Sequence, residues 1–225
     1  MGLYDDLVDE WWKPGGEFAA LHWLATARSQ LIPPSPSTGR VLLDVGCGGG
    51  VLAPHVQEYL HVGVDVSQSA LAVASRSGLV PLRGDVTRLP VRSGVVDVVV
   101  AGELFEHVED LDGAVAEVSR VLQPGGVVVV DTINDTGWAR LSLVTVGERL
   151  PGGPPRRIHD PDLFVAPRRL IELFARHGVE LRVRGLRPSV TDYLCFLVRR
   201  ERPVRMLPTR SLGAVYQGTG RKAAP

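Results

Sequence analysis

Short apolar runs alternate with amphipathic stretches through the middle of the chain. Five runs have the length of a strand, at residues 41–45, 62–66, 79–83, 95–100 and 127–131. A helical stripe follows the fourth run, formed by Leu111, Val115, Val118 and Leu122. This alternation is typical of a parallel sheet with helices on both faces. The near-continuous apolarity of the fourth run predicts a central strand that is buried on both sides.

Both ends of the chain depart from this alternation. Residues 1–36 form an extension with a partly helical apolar pattern, which we interpret either as a helix packed over the domain or as a lid over a ligand cleft. Residues 37–200 are predicted to form one domain, with an insert at 134–166 and a closing hairpin of strands at 179–186 and 193–199. The tail, 201–225, is rich in arginine, proline and glycine, and we expect it to be poorly ordered.

The first predicted strand runs directly into a glycine-rich loop at residues 46–50. Such a loop after a first parallel strand usually holds a nucleotide-like cofactor. The dinucleotide fingerprint G-x-G-x-x-G is incomplete, because Val51 occupies the place of its last glycine. Asp44, just before the loop, would repel a pyrophosphate and attract an ammonium group. We therefore expect S-adenosylmethionine rather than NAD.

Two further acidic residues follow strand ends. Asp65 ends the second run and can accept both ribose hydroxyls, or it can be a plain turn residue. Asp85 follows the third run and can accept from an adenine amine, with the Val86 amide facing the ring; a simple Asx turn is the alternative. Together with Asp44, these acids point to one cleft. The predicted cofactor residues are Arg28, Asp44, Gly46, Cys47, Gly48, Asp65, Val66, Asp85, Val86 and Gly102.

Composition and charge exclude several classes of protein. The 25 Lys and Arg residues balance the 25 Asp and Glu residues, so no net field attracts nucleic acid or a membrane surface. Cys47 and Cys195 lack the spacing of a zinc site, and Cys47 is expected to be a small packed residue rather than a nucleophile. The acidic residues 1–12 have no apolar core, and no run approaches the length of a spanning helix. We expect a cytoplasmic protein, with membrane contact not favoured.

The chain resembles the class I S-adenosylmethionine-dependent methyltransferases. The resemblance covers about residues 40–133 and rests on the segments LDVGCGGG (43–50), GVD (63–65), GDV (84–86) and LQPGG (122–126). It implies a Rossmann-like α/β fold with a seven-stranded sheet in the order 3-2-1-4-5-7-6, preceded here by the helical extension. It also implies S-adenosylmethionine as the methyl donor.

A closer resemblance is to ubiquinone-biosynthesis O-methyltransferases of the 3-demethylubiquinol type. It rests on WW (11–12), GEF (16–18), LH (21–22), Arg28, ELFEHV (103–108), HD (159–160) and FVAP (164–167). Its order and spacing extend over most of the chain. The arginine-rich residues beyond 199 have no counterpart in that pattern, so a polyprenyl acceptor is not implied.

Glu103, Glu106 and His107 have the spacing i, i+3 and i+4, which would place them on one face of a helix. Two carboxylates and an imidazole can hold a divalent ion, Mg²⁺ with several waters or Zn²⁺, and the closer resemblance implies that role. A bound metal would lower the pKa of a phenol. The alternatives are His107 as a general base without metal, and a structural network at a helix start. His159 is expected to line the acceptor pocket, to act as a base, or to anchor its loop.

We therefore predict methyl transfer from S-adenosylmethionine to a hydroxyl of a small aromatic molecule, such as a catechol, a quinol or a secondary metabolite. In this interpretation Asp44 and the loop amides hold the methionine half, and Arg28 binds its carboxylate. Methylation at nitrogen or carbon is one alternative. A cofactor-binding module without chemistry is another, and an NAD-dependent oxidoreductase is more remote. No sequence signal indicates the oligomeric state.

Overall fold

The computed structural model describes residues 9–35, 39–153, 155 and 158–224, so the start of the predicted extension and its residue 36 lie outside the described part. The fold is built on one eight-stranded sheet in the order β3-β2-β1-β4-β5-β8-β6-β7. The strands are β1 (Val41–Val45), β2 (Leu60–Asp65), β3 (Val80–Arg83), β4 (Val96–Gly102), β5 (Leu122–Ile133), β6 (Val179–Pro188), β7 (Met206–Thr209) and β8 (Val215–Lys222). Strands β1 to β5 run parallel, and the β5–β8, β8–β6 and β6–β7 pairs are antiparallel.

Six helices accompany the sheet in the described part of the chain. They are α1 (Ala19–Ser29), α2 (Gln68–Ala74), α3 (Leu111–Val121), α4 (Gly137–Ala139, continued by π-helical turns over Arg140–Val146), α5 (Pro167–Arg176) and α6 (Val190–Val198). Single 3₁₀ turns lie at Ala53–His55, Ser75–Ser77, Phe105–His107, Gly147–Arg149 and Pro161–Leu163. Ser67 caps α2 as predicted, accepting a hydrogen bond from the Ala70 amide. Within the described residues, every helix falls short of the length and apolarity that a membrane span needs.

Two layers of apolar side chains cover the two faces of the sheet. Successive residues of a strand point to opposite faces, so β1 contributes Leu42 to one layer and Leu43 to the other. The Leu43 layer packs against α3 and α5, and the stripe predicted for α3 is buried there. The Leu42 layer packs against the amino-terminal segment, including Trp11 and Phe18. The central strand β4 is therefore covered on both sides, as its apolar run predicts, whereas the edge strand β3 is largely exposed.

The carboxyl-terminal part corrects the prediction in two places. Residues 193–199 lie in helix α6 and its end rather than in a strand. Residues 201–225, which were expected to be poorly ordered, contain β7 and β8, so the domain does not end at residue 200. Strand β8 occupies the place of the predicted seventh strand, between β5 and β6, and β7 adds an edge strand. The predicted order 3-2-1-4-5-7-6 is otherwise confirmed.

The polar sequence of β8 explains why its pattern predicts a tail. Among VYQGTGRK, only the first two residues are large and apolar, and glycines alternate with polar side chains. The glycines are needed because the neighbouring strands are close: a Cβ on Gly218 would lie 2.8 Å from the Arg182 carbonyl oxygen. Tyr216 is fully buried and donates its hydroxyl hydrogen to the Val165 carbonyl at 3.0 Å. The strand is thus held by its two ladders, by Tyr216, and by hydrogen bonds from the Arg221 and Lys222 side chains to backbone carbonyls.

Ending the chain at Glu201 is expected to abolish cooperative folding. The truncation removes β8, leaving β5 and β6 without the strand that joins them and exposing the apolar surface under Tyr216. A matched control ends at Ala223 and keeps all of β8. Urea unfolding followed by circular dichroism should give a single transition for the control and no transition for the truncated chain. A cooperative transition for the chain that ends at Glu201 would contradict this assignment.

Candidate active site

A cavity of about 1270 Å³ opens at the carboxyl ends of the parallel strands. It is larger than the range of about 300–1,000 Å³ that is usual for a single drug-sized ligand, so it has room for two molecules side by side. All ten predicted cofactor residues line it: Arg28, Asp44, Gly46, Cys47, Gly48, Asp65, Val66, Asp85, Val86 and Gly102. Glu103, His107 and His159 line it too. Glu106 is fully buried next to this lining.

The glycine loop at one end of the cavity is held by Asp65. The Gly48 amide donates to Asp65 Oδ2 at 2.8 Å, and the Ser67 amide donates to Oδ1 at 2.9 Å. Gly46 and Gly48 have φ angles of +72° and +51°, in the region that favours glycine. Burial raises the pKa of Asp65, and the two amide hydrogen bonds oppose that rise. Asp65 therefore organises the loop as well as facing the cavity.

The amino-terminal segment lies directly on this loop. The Trp11 ring is so near the backbone that a Cβ on Gly49 would lie 2.5 Å from Trp11 Cγ. Trp11 stacks on Phe18 with 4.2 Å between ring centroids, and Trp12 Nε1 donates to the Gly49 carbonyl at 3.0 Å. Part of the glycine content of the loop is thus required by an aromatic ring of the same chain. The described part of the extension covers the loop and is packed into the core, which fits both interpretations of the extension.

Three more of the predicted cofactor residues, Asp85, Val86 and Cys47, have features that a purely structural role would also explain. Asp85 Oδ1 accepts from the amide and the hydroxyl of Thr87, each at 2.8 Å, which is the geometry of an Asx turn. Its side chain nevertheless lines the cavity, as does the buried Val86. Burial raises the pKa of the Cys47 thiol well above its usual range, so this residue has the character of a small packed side chain.

Asp131, which the sequence analysis did not select, is the central acid of the site. Its two carboxylate oxygens accept from Arg28 Nε at 2.5 Å and from Arg28 Nη2 at 2.7 Å, and both side chains are buried. The Glu103 amide donates to the same carboxylate at 3.0 Å. Burial opposes the charge of Arg28, but the Asp131 carboxylate raises the pKa of the guanidinium above its ordinary value. The sequence does contain a signal for this residue. Asp131 ends the apolar run at 127–131, at the same edge of the sheet as the other strand-end acids, Asp44, Asp65 and Asp85.

Glu103, Glu106 and His107 do not share one face of a helix. Only Phe105–His107 form a 3₁₀ turn, and Glu103 precedes it with a φ of +50°, a conformation rare outside glycine. Glu106 is fully buried, and its Oε2 accepts from the Thr132 hydroxyl at 2.6 Å. Burial raises the pKa of Glu106 to about 7. Burial, and then the carboxylate of Glu106, hold the pKa of Glu103 well above its usual range.

Two histidines face each other across the far end of the cavity. The rings of His107 and His159 stack with 5.5 Å between centroids and 14° between planes. Burial lowers the pKa of His107, and burial together with His107 lowers the pKa of His159 to about 4. Both imidazoles are therefore neutral near pH 7. His159 Nδ1 also lies 3.8 Å from Glu148 Oε1.

Glu106, His107 and His159 form the group that could hold a metal ion in the described part of the chain. One ligand atom from each lies within 4.8 Å of the others. This group shares Glu106 and His107 with the predicted ligand set of Glu103, Glu106 and His107, which stays a prediction. Glu103 takes a left-handed conformation that commits its amide to Asp131, and His159 arrives from the insert instead.

The sheet order, the glycine loop and the strand-end acids define the class of this protein. It is a methyltransferase that takes its methyl group from S-adenosylmethionine. The model of the family described as "Methyltransferase domain" matches residues 43–130.

Relatives of known name narrow the class. The ubiquinone biosynthesis O-methyltransferase of Thiobacillus denitrificans is 32% identical over 80% of this chain and 82% of its own length. The enzyme of the same name from Cupriavidus pinatubonensis is 33% identical, over 81% and 78% respectively. The chain therefore belongs to the ubiquinone biosynthesis O-methyltransferase family of S-adenosylmethionine-dependent methyltransferases.

Solved structures agree on the fold. A possible histamine N-methyltransferase from Thermotoga maritima superposes with a TM-score of 0.69 over 97% of both chains, at 18% identity. Phosphoethanolamine N-methyltransferase 2 of Haemonchus contortus superposes with a TM-score of 0.65, and this chain covers 60% of it. At these identities the likeness concerns the fold alone.

Proposed function

We propose that the protein methylates a hydroxyl group of a small aromatic molecule, such as a catechol or a quinol. The observation that carries this proposal is the stacked pair of neutral imidazoles, His107 and His159, at the far end of the cofactor cavity. Neutral imidazoles are suited to removing a hydroxyl proton or to binding a metal that makes it acidic. The names of the relatives point the same way.

The cofactor end of the cavity is proposed to bind S-adenosylmethionine through the strand-end acids. Asp44 faces the methionine ammonium, and Arg28 faces its carboxylate while remaining paired with Asp131. Asp65 accepts from the ribose hydroxyls, and Asp85 accepts from the adenine amine. This orientation directs the sulfonium methyl toward Glu103 and the two histidines.

The acceptor end supplies an apolar wall and a proton acceptor. Trp138, Leu143 and Met206 line it and suit an aromatic ring. His107 lies beside the space for the acceptor hydroxyl and removes its proton. The acceptor oxygen then attacks the methyl carbon in line with the bond to sulfur, a carbon–oxygen bond forms, the carbon–sulfur bond breaks, and S-adenosylhomocysteine leaves. The protein contributes alignment and deprotonation.

The residues Glu106, His107 and His159 also fit a divalent cation. Glu106 Oε1 and His159 Nδ1 are buried and have no hydrogen-bond partner within the described part of the chain. Two imidazoles and one carboxylate suit Zn²⁺ and similar ions, whereas Mg²⁺ prefers oxygen ligands. Of the two ions considered from the sequence, we therefore propose Zn²⁺ and not Mg²⁺. A bound cation would lower the pKa of the acceptor hydroxyl.

Where a cation is bound, His107 is a ligand rather than the base and the cation supplies the acidification of the hydroxyl, so treatment with EDTA is expected to lower kcat by about 10-fold or more. Added Zn²⁺ should restore turnover better than Mg²⁺ does, and metal analysis of the purified protein should show about one ion per chain. Unchanged turnover in EDTA would contradict the cation site and would show that His107 removes the proton without a metal.

The proposed reaction is tested by incubating the protein with labelled S-adenosylmethionine and a panel of phenols, catechols and quinols. The expected result is label in an aromatic product together with an equal amount of S-adenosylhomocysteine. Cofactor binding by calorimetry without transfer to any acceptor would favour a non-catalytic binding module instead.

A further inference from the structure

A buried histidine outside the cavity lining stands behind Asp44. His61 lies on β2 with its side chain 6% exposed, and its Nε2 is 3.4 Å from Asp44 Oδ2, whose side chain is 5% exposed. Among the described residues, neither ring nitrogen of His61 has a hydrogen-bond partner. A buried polar group without a partner is costly, so a histidine at this place calls for a reason.

The sheet register explains how His61 reaches Asp44. Leu42 pairs with His61, and Asp44 pairs with Gly63, so all four residues belong to one face of the sheet. Gly63 has no side chain, and a Cβ there would lie 2.7 Å from Cys47 Sγ. The Cys47 side chain therefore occupies the place over Gly63, and the His61 ring reaches Asp44 from the preceding position on this face of β2.

We propose that His61 is a positioning residue for the cofactor site: its Nε2–H donates to Asp44 Oδ2 and holds the carboxylate so that Oδ1 faces the methionine ammonium. The two atoms lie 3.4 Å apart, beyond the usual length of about 2.7–3.2 Å, so the proposed hydrogen bond requires the two side chains to move closer together. Because the proposal rests on Asp44 binding S-adenosylmethionine, its test must separate the two claims.

The test is a double-mutant cycle on S-adenosylmethionine binding, measured by calorimetry with His61→Leu, Asp44→Asn and the double variant. His61→Leu should weaken binding about 10-fold in the wild-type background and less than about 2-fold in the Asp44→Asn background. His61→Gln should bind within about 3-fold of wild type, because its amide can donate from a similar position. His177→Leu, an exposed histidine distant from the site, is the matched control and should change nothing.

The kinetic readout separates positioning from a general structural defect. His61→Leu should raise KM for S-adenosylmethionine about 10-fold and leave kcat at saturating cofactor within about 2-fold, with an unchanged midpoint of thermal unfolding. An equal loss of affinity in both backgrounds, or a fall in kcat alone, would overturn the role of His61. Unchanged affinity in Asp44→Asn by itself would instead overturn the proposed role of Asp44, and with it the role of His61.

Discussion

Replacing Asp131 by alanine is expected to destabilise the protein by about 3–5 kcal/mol, because it leaves the Arg28 guanidinium buried without its partner. The two side chains share a bidentate contact at 2.5 and 2.7 Å, and neither is solvated. The Glu103 amide, in its strained conformation, donates to both the carboxylate and the backbone carbonyl of Asp131 at 3.0 Å, and the substitution removes the first of these acceptors. Urea unfolding monitored by circular dichroism measures the change in the free energy of unfolding.

A matched double variant shows how much of the destabilisation arises because Arg28 is left buried without its partner. Arg28→Met combined with Asp131→Leu removes both charges and keeps apolar volume, so its free energy of unfolding should recover most of the loss. Its affinity for S-adenosylmethionine should nevertheless stay low, because the proposed partner of the methionine carboxylate is gone. A loss below about 1 kcal/mol for Asp131→Ala would show that Arg28 reaches solvent in solution and would contradict the buried pair.

Replacing His107 by alanine is expected to lower kcat by about 10²- to 10⁴-fold, the usual range for removal of a general base. The affinity for S-adenosylmethionine should stay within about 3-fold of wild type, because His107 lies at the acceptor end of the cavity. His159→Ala should lower kcat less, by about 10-fold, because it leaves the other imidazole in place. The exposed His177→Ala is the matched control.

Steady-state kinetics together with calorimetry decide this prediction. A variant His107→Ala with normal kcat would remove the histidine pair from the mechanism and would favour methylation at a nitrogen or a carbon, which needs no hydroxyl deprotonation. A large loss of cofactor affinity with normal kcat would show that His107 lies at the cofactor end of the cavity and not at the acceptor end.

The central sheet could be predicted from sequence because its strands are buried on both faces. Residues 95–100 contain one polar side chain, and no other element type suits a short apolar run between turn signals. Strand β8 could not be predicted in this way. Its glycines allow close packing between strands, but a glycine-rich polar segment is also typical of a poorly ordered tail. Helix α6 was not predicted either, because the short, nearly continuous apolar run at 193–199 has the length of a strand. Four apolar side chains of this helix are exposed: Val190, Leu194, Leu197 and Val198.

The candidate site was predictable where one rule applied, an acid at the carboxyl end of a parallel strand. That rule selects Asp44, Asp65 and Asp85, and all three line the cavity. It also applies to Asp131, but an isolated acid at the end of β5 gives no hint of a partner 103 residues away in the extension. The pairing of His107 with His159 is equally invisible, because it depends on how the insert folds back over the sheet.

The identity of the methylated atom distinguishes transfer to oxygen from transfer to nitrogen. A catechol and its matched amino analogue, 2-aminophenol, would each be incubated with labelled S-adenosylmethionine, and the products would be assigned by mass spectrometry and NMR. We expect both acceptors to give a methyl ether on one phenolic oxygen, with the amine of 2-aminophenol unmodified. A methyl group on the nitrogen of 2-aminophenol, with the catechol unreacted, would contradict it.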